Sequence, residues 1–166
     1  MWLQGKSVRL VGESPAIAAA LAEQGAQFVE AGPCDILVHV ATAPVRRLAH
    51  ELSAADWRRT LDEGLDQRFR LARDFAIERQ GRRRPGAVLF VGAPEQAAGA
   101  DQAAAGGALG NLTKTLGVEW ARDGIRVNSI QTCETGDTLA HLAAYLVSDY
   151  AAYITGAVVG VGLADT

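Results

Sequence analysis

The run LTKTLGVEWARDGIRVNSI, residues 112–130, decides the fold class. Its first half completes a stripe in which Leu109, Leu112, Leu116 and Trp120 share one side of a helix predicted over 103–121. Its second half, Ile125 to Ile130, is a strand that follows the helix at once. Upstream, Ala87 to Val91 is an almost unbroken apolar run, the pattern of a strand covered on both faces in a parallel sheet. Downstream, a helix through Leu139 to Val147 leads to a last strand, Ala157 to Val161.

The amino-terminal half repeats the alternation. Ser7 to Val11 is a strand, Gly12-Glu13-Ser14-Pro15 breaks it, and Ala16 to Glu23 is an Ala-rich helix closed by Gly25. A second strand is predicted over Ala26 to Val29 and a third over Asp35 to Val40. Ser53 with Asp56 resembles a capping box, and Trp57, Leu61, Leu65 and Phe69 follow at four-residue spacing, predicting a helix to about Arg79. Gln80 to Pro85 reads as a polar loop. Alternation without repeats or composition shifts makes 1–166 a single doubly wound α/β domain.

Composition narrows the function classes. The 166 residues are 49% hydrophobic and 21% charged, a globular balance, and the formal charge of -3 argues against nucleic acid or an anionic membrane as partner. Two cysteines are too few for a disulfide framework, and MWLQGKSVRL holds no long apolar run, so a reducing cytoplasm is the expected location. No spacing of His, Cys or Asp suggests a metal site.

In combination and order, GKSVRLVGESPAIAAALAEQGA, CDILVHVA, LSAADWRRTLDEGL, the 112–130 run and LVSDYAAYITGAVVGV resemble the short-chain dehydrogenase/reductase family over most of the chain. The resemblance implies a Rossmann-like, mainly parallel sheet of about six strands. The family's third strand and its flanking helices are missing, because only Glu30 to Cys34 separate the second strand from Asp35. Glu30 or Ala31 falls where the family often has a ribose-binding acid, and Glu30 is read as a solvated carboxylate.

Departures from the family's site residues shape the functional expectation. Of three glycines that let the cofactor pyrophosphate approach, only Gly12 stands here; Ala16 and Ala18 occupy the other two positions, and Pro15 removes a donor. Ala93 (or Gly92), Gln102 and Gly106 stand at the family's serine, tyrosine and lysine, and Gly64 at its relay asparagine. His39, Val40, Ala41 and Thr42 replace the Asn-Asn-Ala-Gly run, and Gln131-Thr132-Cys133 replaces the Pro-Gly before the substrate lid. On that text no catalytic set and no NAD(P) site are expected, and the chain reads as a non-catalytic pseudo-dehydrogenase subunit.

The expected partner is the chain itself or a full-length homologue, joined through the last strand and a helix bundle presenting Trp57, Leu61, Leu65, Phe69, Leu109, Leu112, Leu116 and Trp120. Two alternatives stand beside this: a divergent NAD(P)-dependent oxidoreductase with relocated residues, and a small-ligand regulatory module using the crevice at the carboxyl strand ends. Looser signals are Arg82-Arg83-Arg84 beside Arg79 as a phosphate grip, His39 as a proton shuttle, and Asp101, Glu95 or Cys133 as a carboxylate or thiol near the crevice. The bland readings of these are a solvated loop, a satisfied structural histidine and surface residues. His50 and His141 are expected to face solvent.

Overall fold

A computed structural model describes residues 1–41, 47–92, 99–132 and 136–161. Six strands, all parallel, lie in the order β2-β1-β3-β4-β5-β6: β1 Ser7–Val11, β2 Gln27–Phe28, β3 Ile36–Val40, β4 Gly86–Gly92, β5 Ile125–Thr132 and β6 Val158–Val161. The helices are α1 Pro15–Glu23, α2 Ala54–Leu61, α3 Gln67–Arg82, α4 Ala100–Glu119 and α5 Asp137–Val147. Strand β2 is a two-residue edge with Gln27 and Phe28 both exposed, as the missing third strand leads one to expect. A short edge of this kind offers little to an incoming strand.

Each buried strand feeds two cores. On one face Val8, Val38, Leu89 and Ile130 pack with Ile17 and Leu21 of α1 and with Leu139, Ala143 and Val147 of α5. On the other, Leu37, Val88, Phe90 and Val127 pack with Ala72, Phe75 and Ala76 of α3 and with Leu109 and Leu116 of α4. The apolar alternation of β3 and β4 is therefore a two-sided burial, as parallel strands require.

The long helix predicted from Ser53 to Arg79 is divided. Ser53 does cap α2, accepting from the Asp56 amide at 3.1 Å. A π turn over Asp62–Asp66 then separates α2 from α3, which runs on to Arg82 and closes at Arg83 with φ 52°. The four-residue stripe does not survive this. Successive i+4 steps drift around a 3.6-residue helix, so Phe69 emerges 40% exposed while Arg68, Ala72, Phe75, Ala76 and Arg79 face the core.

On α4, Leu109, Leu116 and Trp120 are buried in the domain's own core and Leu112 packs against it. Only Trp57, Leu61, Leu65 and Phe69 of the predicted helix-bundle surface retain exposed area. Nor do Arg79 and Arg82 to Arg84 act together. Arg79 is buried, pairs with Asp35 at 3.0 Å and donates to the Cys34 carbonyl at 3.1 Å, while Arg82 pairs with Glu78 at 2.7 Å. Among the described residues no helix is long and apolar enough to cross a membrane.

Candidate functional site

The carboxyl ends of β1 and β3 open into a crevice of about 500 Å³. It is lined by Val11, Gly12, His39, Val40, Ala41, Thr60, Glu63, Gly64, Gln67 and Gln102. Its position follows from topology: β1 runs out to β2 on one side and β3 on the other, and the chain reverses direction across the sheet there. Such a switch point at the carboxyl edge is where open α/β sheets bind ligands.

Gly12 sets the mouth. Its φ is +88°, and a Cβ added there would stand 2.1 Å from the Val40 carbonyl oxygen, so no side chain fits although the backbone itself is exposed. The turn delivers the chain to Ser14, whose hydroxyl accepts from the Ile17 amide at 3.4 Å, and Pro15 opens α1. The amino end of α1 thus points its dipole towards the crevice side of the sheet. Ala16 and Ala18 are half-buried on α1, and Ala16 packs against the core it shares with α5.

The opposite wall is the π turn. Gly64 lies inside it, and a Cβ there would come 3.1 Å from the Ala105 Cβ, so the turn and α4 approach closely. Widened turns of this kind often occur at functional sites. Gly106 is buried within α4, whereas Gln102, one turn nearer the amino end, is half-exposed and lines the crevice. Ala93, Glu95, Thr42 and Cys133 lie outside the described residues.

Beneath the crevice sits a group of buried polar side chains. His39 is 4% exposed, its Nδ1 has no hydrogen-bond partner, and the Gln67 side chain bonds to the ring. Burial, with the Arg68 charge adding to it, pushes the imidazole down to about 4, so the ring is neutral at physiological pH. Arg68 is 1% exposed and donates to the Val91 carbonyl at 3.0 Å, while its Nε is unpartnered. Burial lowers its guanidinium to about 10, which leaves it charged.

No carboxylate forms an ion pair with Arg68 among the described residues. Gly92 makes room for it, since a Cβ there would stand 3.0 Å from both terminal nitrogens. Asp101, 3% exposed, accepts from the Thr60 hydroxyl at 2.7 Å and has its Oδ1 unpartnered. His39 and Asp101 were singled out from the sequence as candidates near the crevice; Arg68 was not. Its signal was an arginine on the apolar a/d-type spacing Leu61, Leu65, Arg68, Ala72, Phe75, which the four-residue stripe hid. No group of three or more His, Cys, Asp or Glu suited to a metal ion occurs among the described residues.

This crevice and fold agree with what the chain is similar to. A family model described as enoyl-(acyl carrier protein) reductase matches residues 11–138. The chain is 27% identical to cis-4-hydroxycyclohexanecarboxylate dehydrogenase of Sinomonas cyclohexanicum, over 91% of this chain and 72% of that protein. It is 28% identical to 3beta-hydroxysteroid dehydrogenase 1 of Eggerthella lenta, over 75% of this chain and 60% of that protein. Among solved structures, one from Agrobacterium tumefaciens with bound NADP superposes with a TM-score of 0.86 at 24% identity, covering 96% of this chain and 95% of that one. A short-chain dehydrogenase from Leptospira borgpetersenii with bound NAD+ gives 0.81 at 16%, covering 95% and 91%.

Two expectations are overturned by these findings. The chain was expected to be a non-catalytic pseudo-dehydrogenase subunit, yet the relatives it matches are dehydrogenases. It was expected to have no NAD(P) site, yet structures sharing its fold nearly end to end hold NADP and NAD+. The physical reason lies in the weight given to Ala16, Ala18 and Pro15. Gly12 by itself keeps the tight turn against Val40 that holds the mouth open, and the α1 dipole remains aimed at it. From residue 11 to residue 138 and across its whole parallel sheet, the chain belongs to the short-chain dehydrogenase/reductase family.

Proposed function

We propose that this chain is a nicotinamide-dinucleotide-linked oxidoreductase that interconverts a hydroxyl and the corresponding carbonyl in the crevice over β1 and β3. The observation that carries the reading is the Gly12 turn, seated on the Val40 carbonyl with no room for a Cβ and leading into the amino end of α1. That arrangement lets backbone rather than side chain meet a phosphate. Gly12, the Ala16 amide, Val40 and Ala41 are the residues that would hold the cofactor. When bound, the nicotinamide supplies or accepts the hydride.

The chain's own residues then have two tasks. The Gln102 amide, at the crevice wall, donates a hydrogen bond to the substrate oxygen. An amide cannot exchange a proton usefully, so that role falls to the Glu63 carboxylate at the mouth or to water. Both curated relatives carry a secondary ring alcohol in their printed names, which supports a hydroxyl substrate. The experiment is a titration with NADH and with NADPH, read by nicotinamide fluorescence and by quenching of Trp2, Trp57 and Trp120. Saturation in the micromolar range supports the reading, and a linear response to millimolar cofactor refutes it.

A further inference from the structure

The buried polar group under the crevice contains a charge that the fold itself does not neutralise. Arg68 is 1% exposed and keeps a single described hydrogen bond, to the Val91 carbonyl. A buried guanidinium normally faces a carboxylate, because desolvation must be offset by an opposite charge at hydrogen-bond distance. The other buried arginine obeys this rule, with Asp35 at 3.0 Å from Arg79. Arg126, half-buried, is answered by three carbonyls, those of Leu146, Val147 and Ser148. Only Arg68 has neither arrangement among the described residues.

Its surroundings are consistent with a vacancy for an anion. Gly92 holds open the space beside both terminal nitrogens. The next residue on α3, Gln67, and its neighbour His39 line the crevice, and His39 keeps Nδ1 without a partner. A neutral imidazole can present that nitrogen as a donor beside the guanidinium. Asp101, the buried carboxylate of the same region, is turned instead to Thr60.

We infer that the crevice binds an anionic substrate whose carboxylate is received by Arg68 with His39, so that the oxidoreductase acts on a hydroxy or oxo acid. This rests on the function proposed above and adds a substrate class to it. A planar guanidinium matches a carboxylate with two parallel hydrogen bonds. An anion at this point also supplies the counter-charge that the fold lacks.

The test uses the intact chain with benzoate and the uncharged, isosteric benzamide, each followed by thermal shift and by calorimetric titration. Benzoate is expected to bind and stabilise, and benzamide to bind roughly tenfold or more weakly, the loss typical of one partner of a desolvated pair. Arg68→Met keeps length and removes charge; it is expected to abolish the preference for benzoate without unfolding the chain. Arg68→Lys guards against a failure of that variant to fold, and is expected to retain a weakened preference.

Equal binding of the two probes, or a benzoate preference that persists in Arg68→Met, overturns the inference. So does inorganic phosphate binding more tightly than benzoate through Arg68, since that makes the site a phosphate site. The cofactor titration is scored separately. Benzoate preference without NADH binding refutes the oxidoreductase reading alone, and NADH binding without the preference refutes only the acid substrate.

Discussion

Folding His39 inside the sheet makes stability depend on pH in a defined window. The imidazole stands at about 4 in the native chain against 6.5 as its ordinary value, burial being the main cause and the neighbouring Arg68 charge the next. Between those values the unfolded chain takes up a proton that the native one refuses. Stability therefore falls as the pH falls from 6.5 towards 4 and is unaffected by this group above 6.5. Each pH unit in the window is worth about 1.4 kcal/mol, so the full loss is on the order of 3 kcal/mol. For a domain whose total stability is about 5–15 kcal/mol that is a large share.

The carboxylates held below their usual range act elsewhere. Asp35, despite its partial burial, is held down by the Ser7 amide and hydroxyl and by Arg79; Asp56 is held down by Ser53 and Arg47. Their contribution is lost only as the pH falls through and below 3.8, outside the imidazole's window. Urea unfolding midpoints at about pH 7.5, 6.5, 5.5 and 4.5 measure the slope. His39→Asn, which places at this position the residue the family uses there, is the control. The wild type is expected to lose midpoint steadily below 6.5 and the variant to stay nearly level. Parallel curves for the two would refute the assignment of the slope to His39.

Two further outcomes follow from close contacts. Gly12→Ala forces a Cβ to within 2.1 Å of the Val40 carbonyl oxygen at a φ of +88°, and is expected to cost roughly 3 kcal/mol in a urea titration and to remove NADH binding. Arg126→Met strips the guanidinium from the carbonyls of Leu146 at 2.6 Å, Val147 at 3.2 Å and Ser148 at 2.9 Å, and is expected to destabilise by roughly 2 kcal/mol, seen as a lowered melting temperature with cofactor binding retained.

The parts of the fold that could be read in advance are those governed by local periodicity. Strands β1 and β3 to β6 fall within two residues of their predicted bounds because apolar runs ended by Gly, Pro or Asp carry a two-sided burial pattern whatever surrounds them. The α3 face could not be read the same way. A π turn adds one residue to the helical register at Asp62–Asp66, and that extra residue rotates every later side chain away from the stripe begun by Trp57 and Leu61. Arg68 was missed for this reason, since its burial depends on a register shift that no four-residue pattern encodes. Gly12 was legible as a turn, but not its fit against Val40, which comes from pairing β1 with β3.

The same contrast explains why comparing letters at the site misled. Serine, tyrosine and lysine positions were compared one by one with Ala93, Gln102 and Gly106, all residues of the rim or of α4, and each comparison recorded a loss. The space between the walls is set instead by backbone approach: Gly12 against Val40 on one side, and Gly64 against Ala105 on the other at 3.1 Å. Both contacts demand small residues, and both are met, so the crevice persists although its rim has changed. Polar capacity lies lower down, in His39, Arg68 and Asp101, each buried with one atom unsatisfied. Unpaired buried groups cost stability, and three gathered beneath one crevice, supplied by β3, α3 and α4, are better explained by a ligand that pairs with them than by three independent accidents of packing.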